Sequence, residues 1–250
     1  MAGHSKFANI KHRKAAQDGK RTKIFSKIVR EIVVAVKQGG PDAGSNPRLR
    51  GALQSARAAN LPKDRIESAI KKASGADSTE NYEEARYEGY GPAGIAVIID
   101  ALTDNRNRTV SEIRSAFSKA GGNLGETGSV GFMFDRVGFV QFKAEIGSAD
   151  DVLEQAIEAG AEDVESDETY HTIYCDSNDF NTVRDYLVEK YGDPEAARLS
   201  WKPNTTTQLG LDQARSLFKM VDVLEDNDDV QYVTTNVEVS DEVAQALAEE

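Results

Sequence analysis

The chain has 250 residues, 39% hydrophobic and 29% charged, the balance of a globular protein long enough for one large domain or two to three small ones. Its single cysteine, Cys175, excludes a disulfide framework and a cysteine-built zinc site within one chain. The net charge of −12 hides a division: residues 1–75 hold 17 Lys and Arg against 5 Asp and Glu, while the rest of the chain holds 13 against 37. A basic head of +12 on an acidic remainder of −24 points to a nucleic-acid or membrane-surface partner. No apolar run approaches the ~20 residues that cross a bilayer, and the opening residues lack the apolar segment of a secretory signal. The expectation is a cytoplasmic protein with no membrane partner.

Residues 1–20 carry only Phe7 and Ile10 as large apolar side chains, among Lys6, Lys11, Arg13, Lys14 and Lys20. So little apolar surface cannot offset the entropy of ordering the segment, and a basic arm that orders on phosphates is expected. Over 22–38, Phe25, Ile28, Val29, Ile32 and Val36 recur at helical spacing until Gly39, Gly40 and Pro41 stop the run. Lys20, Lys23, Lys27 and Arg30 fall in one quadrant opposite that stripe, a cationic row continuous with the arm. Asn46 and Pro47 then open a second helix, with Leu49, Ala52, Leu53 and Ala56 inward. Pro62 starts a third, with Ile66, Ala69, Ile70 and Ala73 inward and Gly75 as its stop. These short connections predict a three-helix bundle, in which no spacing singles out a DNA-reading helix.

Beyond residue 78 the pattern changes to strands. Residues 137–202 read strand 137–144, helix 149–159, strands 162–167 and 170–176, helix 179–191 and strand 196–202, the order of a ferredoxin-like unit. Ahead of it come a strand at 94–103, a helix to residue 120 and a strand near 130–135. After it come a strand at 205–209, a helix at 211–225 and a strand at 230–237. The expected fold class is α+β: a basic arm and three-helix domain over 1–78, then two ferredoxin-like α/β domains. The first is discontinuous, over 79–136 and 203–250, and the second, 137–202, is inserted into it.

Several local signals invite chemistry. Gly89-Tyr90-Gly91-Pro92-Ala93-Gly94 matches G-x-G-x-x-G but precedes a strand rather than opening a helix, so it reads as a tight turn and not as a dinucleotide site. The glycines from Gly121 to Gly128 fit a helix end and turn, with an anion nest as the alternative. Arg106 and Arg108 precede a helix where Thr109 and Glu112 make a capping-box pattern; they are the candidates for a second phosphate contact, against internal salt bridging. Cys175 and His171 share one strand face, but a buried thiol beside a partly exposed histidine accounts for them without catalysis. The run Asp226-Asn227-Asp228-Asp229 lacks the glycine and spacing of a calcium loop. No catalytic constellation, metal site, cofactor or small-molecule substrate is expected.

The opening, from Gly3-His4-Ser5-Lys6-Phe7-Ala8-Asn9-Ile10-Lys11-His12-Arg13-Lys14 through Lys20-Arg21-Thr22-Lys23-Ile24-Phe25, resembles the YebC family. So do Tyr87-Glu88-Gly89-Tyr90-Gly91-Pro92, the segment 104–109, the segment 121–125 and Asn236-Val237, so the likeness runs nearly end to end. Phe7 stands where the family usually has tryptophan and Thr22 where it has glycine. The resemblance implies a cytoplasmic, three-domain, non-enzymatic protein. Bacterial members are described as DNA-binding transcriptional regulators, and mitochondrial relatives as translational activators of cytochrome oxidase subunit one. Other descriptions place bacterial members on the ribosome, assisting synthesis through proline-rich stretches.

The nucleic-acid-binding candidates are therefore His4, Lys6, Phe7, Lys11, His12, Arg13, Lys14, Lys20, Arg21, Lys23, Lys27 and Arg30. Lys and Arg suit phosphates, which position without specifying, whereas His4, Phe7 and His12 suit stacking on unpaired bases. DNA and ribosomal RNA both remain open as the partner. A protein-interaction scaffold working through its acidic surface is the alternative of a different class.

Overall fold

The structure is a computed structural model, and it describes residues 18–75 and 81–248, with side chains over 21–75 and 81–247. The fold is α+β: helices first, then two four-stranded antiparallel sheets with helices packed on them. The described residues divide into two compact units, one of 18–27, 81–135 and 203–248, the other of 28–75 and 136–202.

Three helices form the N-terminal region: α1 (Asp18–Gly39), α2 (Pro47–Ala58) and α3 (Lys63–Ser74). The first extends four residues further back than its apolar periodicity. Asn46 does more than cap α2. Its carboxamide oxygen accepts from the Leu49 N–H at 3.0 Å, and its nitrogen donates to the carbonyls of Ala35 (2.7 Å) and Gly40 (2.8 Å). One buried amide thus satisfies the start of α2 and the end of α1 together. Arg48 adds a bidentate bridge from α2 to Glu31 on α1.

The first sheet has strand order β3–β1–β2–β9, built from β1 (Glu83–Tyr90), β2 (Ala96–Thr103), β3 (Asn123–Leu124) and β9 (Val230–Thr235). Helices α4 (Arg106–Lys119) and α7 (Leu211–Glu225) bury Ile113, Phe117, Leu217 and Val221 in one core with Val97 and Ile99 of β2. Gly89 is required by proximity, since a Cβ there would lie 2.6 Å from the Asn123 carbonyl oxygen and 2.9 Å from the Phe117 ring. A separate pair, β8 (Thr207–Gln208) and β10 (Val237–Glu238), runs parallel, and α8 (Asp241–Ala248) follows.

The second sheet has order β5–β6–β4–β7, from β4 (Phe134–Lys143), β5 (Asp163–Ser166), β6 (Tyr170–Asp176) and β7 (Ala196–Pro203). Helices α5 (Ala149–Ala159) and α6 (Phe180–Tyr191) complete it, and Val140, Phe142, Val152, Ile173, Val183 and Leu187 form its core. Chain order and strand order together are those of a ferredoxin-like split unit.

The first sheet departs from its expected element order. β1 lies ahead of the 94–103 strand, pairs with it as a hairpin and sits inside the sheet, so the flanking segments do not assemble as βαβ–βαβ. The strand expected near 130–135 is a short 3₁₀ turn at Gly131–Met133 that leads into β4. Thr109 is not a cap: Asn105 caps α4 by accepting from the Arg108 N–H, and Thr109 is buried in the first turn.

Candidate nucleic-acid interface

His4, Lys6, Phe7, Lys11, His12, Arg13 and Lys14 lie outside the described residues, as does the side chain of Lys20 in the first turn of α1. Among the remaining candidates, Arg21 stacks its guanidinium over the Phe25 ring at 5.3 Å. Lys23 and Lys27 point to the C-terminal end of α7. Lys27 Nζ donates to the Glu225 carbonyl at 2.8 Å; Lys23 Nζ donates to the Asp226 carbonyl at 3.0 Å and pairs with its carboxylate at 3.1 Å. The last carbonyls of a helix have no intrahelical donor and carry its negative pole, so two ammonium groups there satisfy both deficits. Arg30 is half-buried and is not free either.

The pair near α4 is also engaged. Arg106 donates through Nε to Glu83 (2.8 Å) and through Nη2 to the Glu84 carbonyl (2.9 Å). Arg108 Nη2 reaches Asp104 and Asp229, both at 2.7 Å. The carboxylate of Asp229 is nearly inaccessible and ends a relay of donors. The Asn105 N–H bonds to the Thr103 hydroxyl, Thr103 bonds to Thr109, and Thr109 donates to Asp229 at 2.7 Å. Bonding to Asp229 and then Asp104 raises the Arg108 pKa, so its charge is held fast between two carboxylates. Internal salt bridging, one of the two uses foreseen for these arginines, is the one present.

The glycine-rich segment makes a helix end and turn, the Gly121 N–H bonding to the Ser118 carbonyl (3.2 Å) and the Gly122 N–H to the Phe117 carbonyl (2.9 Å). Just beyond it, the fully buried side chain of Glu88 on β1 accepts from the N–H groups of Val130 (3.0 Å) and Gly131 (2.7 Å). Burial by itself would raise the carboxyl pKa. The backbone N–H groups facing the carboxylate and Arg86, 3.0 Å away, outweigh it and hold the group below its usual value of 4.5.

The catalytic candidates are inert by environment. Cys175 is fully buried, and burial, reinforced by Asp179, Glu162 and Asp176, pushes its thiol up to about 11. His171 is buried too, rather than partly exposed. Its Nε2 faces the carbonyls of Ala144 and Gly147, so it carries the proton, and Nδ1 accepts from the Ser166 hydroxyl. In the acidic run, Asp226 pairs with Lys23, Asn227 donates to Glu112 and accepts from the Asp229 N–H, and Asp229 holds Arg108. Among the described residues no group of three or more His, Cys, Asp or Glu could hold a metal ion, and no helix is long and apolar enough to cross a membrane.

Arg65, Lys71 and Lys72 on α3, which sequence reasoning passed over, are exposed, and no hydrogen bond or ion pair engages their side chains among the described residues. No pattern marks them in the sequence, because an engaged and an unengaged lysine look alike until their surroundings are known.

Residues 5–76 match the family model described as the TACO1/YebC protein N-terminal domain, and residues 82–237 match the one described as the TACO1/YebC second and third domain, whose short name denotes transcription regulation. Among solved structures, the crystal structure of a conserved hypothetical protein, Aq1575, from Aquifex aeolicus is 46% identical. Its TM-score is 0.85 over 91% of this chain and 94% of that one.

Proposed function

Because this chain belongs to the TACO1/YebC family, we propose that it is a non-enzymatic, nucleic-acid-binding regulator of gene expression in the cytoplasm, acting as a DNA-binding transcriptional regulator. One observation carries the nucleic-acid part: the basic charge is concentrated in residues 1–75, ahead of a remainder at −24. The family's regulatory name supports the assignment to transcription.

A second reading has a specific observation in its favour. The candidate contacts are nearly all Lys and Arg, suited to phosphates rather than base edges, and an acidic remainder of −24 is repelled by a long duplex. A ribosome meets both conditions: the head binds ribosomal RNA and the acidic surfaces face basic ribosomal proteins. The protein then acts as a ribosome-associated translation factor, assisting synthesis through proline-rich stretches.

Sedimentation of cell lysate at low and moderate salt, with and without DNase or RNase, separates the two. Association lost with DNase alone and absent from purified ribosomes supports the transcriptional regulator. Ribosomal association that survives DNase but is lost with RNase, and on removing residues 1–20, supports the translation factor. A protein that stays in the soluble fraction under every condition, and binds neither DNA nor RNA when purified, refutes both.

A further inference from the structure

The sequence makes the cationic row of α1 the obvious phosphate-binding face of the helical region, yet Lys23 and Lys27 are taken up by the end of α7. Over the described residues 21–75 the other arginines are occupied as well. Arg48 bridges to Glu31, Arg50 donates to the Ala43 and Gly44 carbonyls, and Arg57 donates to Asp193 at 2.6 Å. Arg21 lies over Phe25, and Arg30 is not free. Arg65 is the one guanidinium of this stretch with no partner among the described residues.

Helix stability does not explain where Arg65 sits. It occupies the first turn of α3, at the positive end of the helix dipole, where a cation is unfavourable. Lys71 and Lys72 in the last turn do complement the dipole, worth about 0.3–1 kcal/mol. Lys72 nevertheless returns to Arg65's side of the helix, two turns on and about 10 Å along the axis, with exposed Ser68 between them. Ala69 and Ala73 are buried on the face that flanks this edge beyond Arg65, while Arg65, Ser68, Lys71 and Lys72 are themselves exposed. Glu67 faces Lys63 at 3.6 Å, and Asp64, one turn before Ser68, is the single carboxylate on this edge against its three cations.

We infer that the exposed edge of α3, formed by Arg65, Ser68, Lys71 and Lys72, binds the phosphodiester backbone of the nucleic acid partner. This rests on the nucleic-acid reading above and extends it to residues that reading does not name. Arg65 supplies a planar donor fork to phosphate oxygens, the two lysines supply point charges, and Ser68 a hydroxyl donor between them. Among the described residues none of these groups has an ion pair to break first, as Lys23 has.

The test is fluorescence anisotropy of the full chain with a short RNA hairpin and a DNA duplex carrying equal numbers of phosphates, titrated over a range of salt. The triple variant R65Q/K71Q/K72Q is expected to flatten the log–log salt slope by about 2 to 3, since each lost contact removes roughly 0.7–0.9. A control with the same change in net charge, R114Q/K119Q/K219Q, alters exposed cations elsewhere and is expected to leave the slope unchanged. Should the triple variant melt early, R65Q alone is expected to lower the slope by about 1. The probe on which the slope falls identifies the backbone as RNA or DNA. If the chain binds both probes with an unchanged slope in the α3 variants, or the control falls as far, the α3 assignment is overturned while the nucleic-acid reading stands. If the unaltered chain binds neither probe, the nucleic-acid reading fails and the α3 assignment with it.

Discussion

Replacing Glu88 tests whether a carboxylate inside the first sheet organises the turn before β4. Its Oε2 accepts from the Val130 and Gly131 N–H groups. In Glu88→Ala two backbone donors lose a charged acceptor in a region the side chain itself kept dry. A buried donor left unpaired costs about 1–3 kcal/mol, and water entering the space recovers part of that, so a net loss of about 3 kcal/mol is expected. At about 2–4 °C per kcal/mol for a chain of this size, the melting transition falls by roughly 6–12 °C. Glu88→Gln keeps the shape and one acceptor oxygen but turns an amide N–H₂ toward Arg86, so it should lose about half as much. The assay is urea unfolding followed by circular dichroism, together with hydrogen exchange at the Val130 and Gly131 amides. Exchange there should accelerate in Glu88→Ala while Ile173, in the core of the second sheet, keeps its protection. The native carboxyl lies below 4.5, so its contribution is fully present above that pH and is lost as pH falls through the lower folded value. Glu88→Gln should lack this acid slope. An alanine variant within about 1 kcal/mol of the parent, with Val130 and Gly131 still protected, would refute the reasoning.

Lys27→Ala should lower stability by about 1–2 kcal/mol in urea, because a half-buried ammonium at a helix C-terminus combines a charge-assisted bond with the dipole; an unchanged midpoint would show that the end of α7 is satisfied without it. Asp229→Ala should cost about 3 kcal/mol, since it strands both the hydroxyl relay and Arg108. A double-mutant cycle with Arg108→Ala should give a coupling of at least about 1 kcal/mol, and strict additivity would break the link between the two. At pH 8 Cys175 should resist a thiol reagent in the native protein and react once urea exposes it; rapid stoichiometric labelling of the folded chain would contradict its buried, high-pKa setting.

Much of this protein follows from residue order alone. The helix starting at Pro47 and the stop at Gly75 rest on local backbone chemistry, and α7 and the elements of the 137–202 stretch on periodicity, so they need no distant partner to be recognised. The charge division and the family motifs are likewise properties of the chain. What tertiary structure decided is the fate of polar groups. β1 escapes notice because its apolar alternation rests on Ala85 and Tyr87 alone, among four charged residues. Pairing with β2 and β3 places it inside the sheet, and amides about forty residues away satisfy its buried Glu88. The glycine segment reads as a helix end and turn, which it is, and only the fold shows that the amides just beyond it hold the Glu88 carboxylate of β1. Lys23, Lys27, Arg106 and Arg108 look available for phosphate until the end of α7 and the carboxylates of Glu83, Asp104 and Asp229 arrive beside them. A charge is free or engaged according to what folding brings within about 4 Å of it, and sequence spacing encodes that distance only within a single helix or strand.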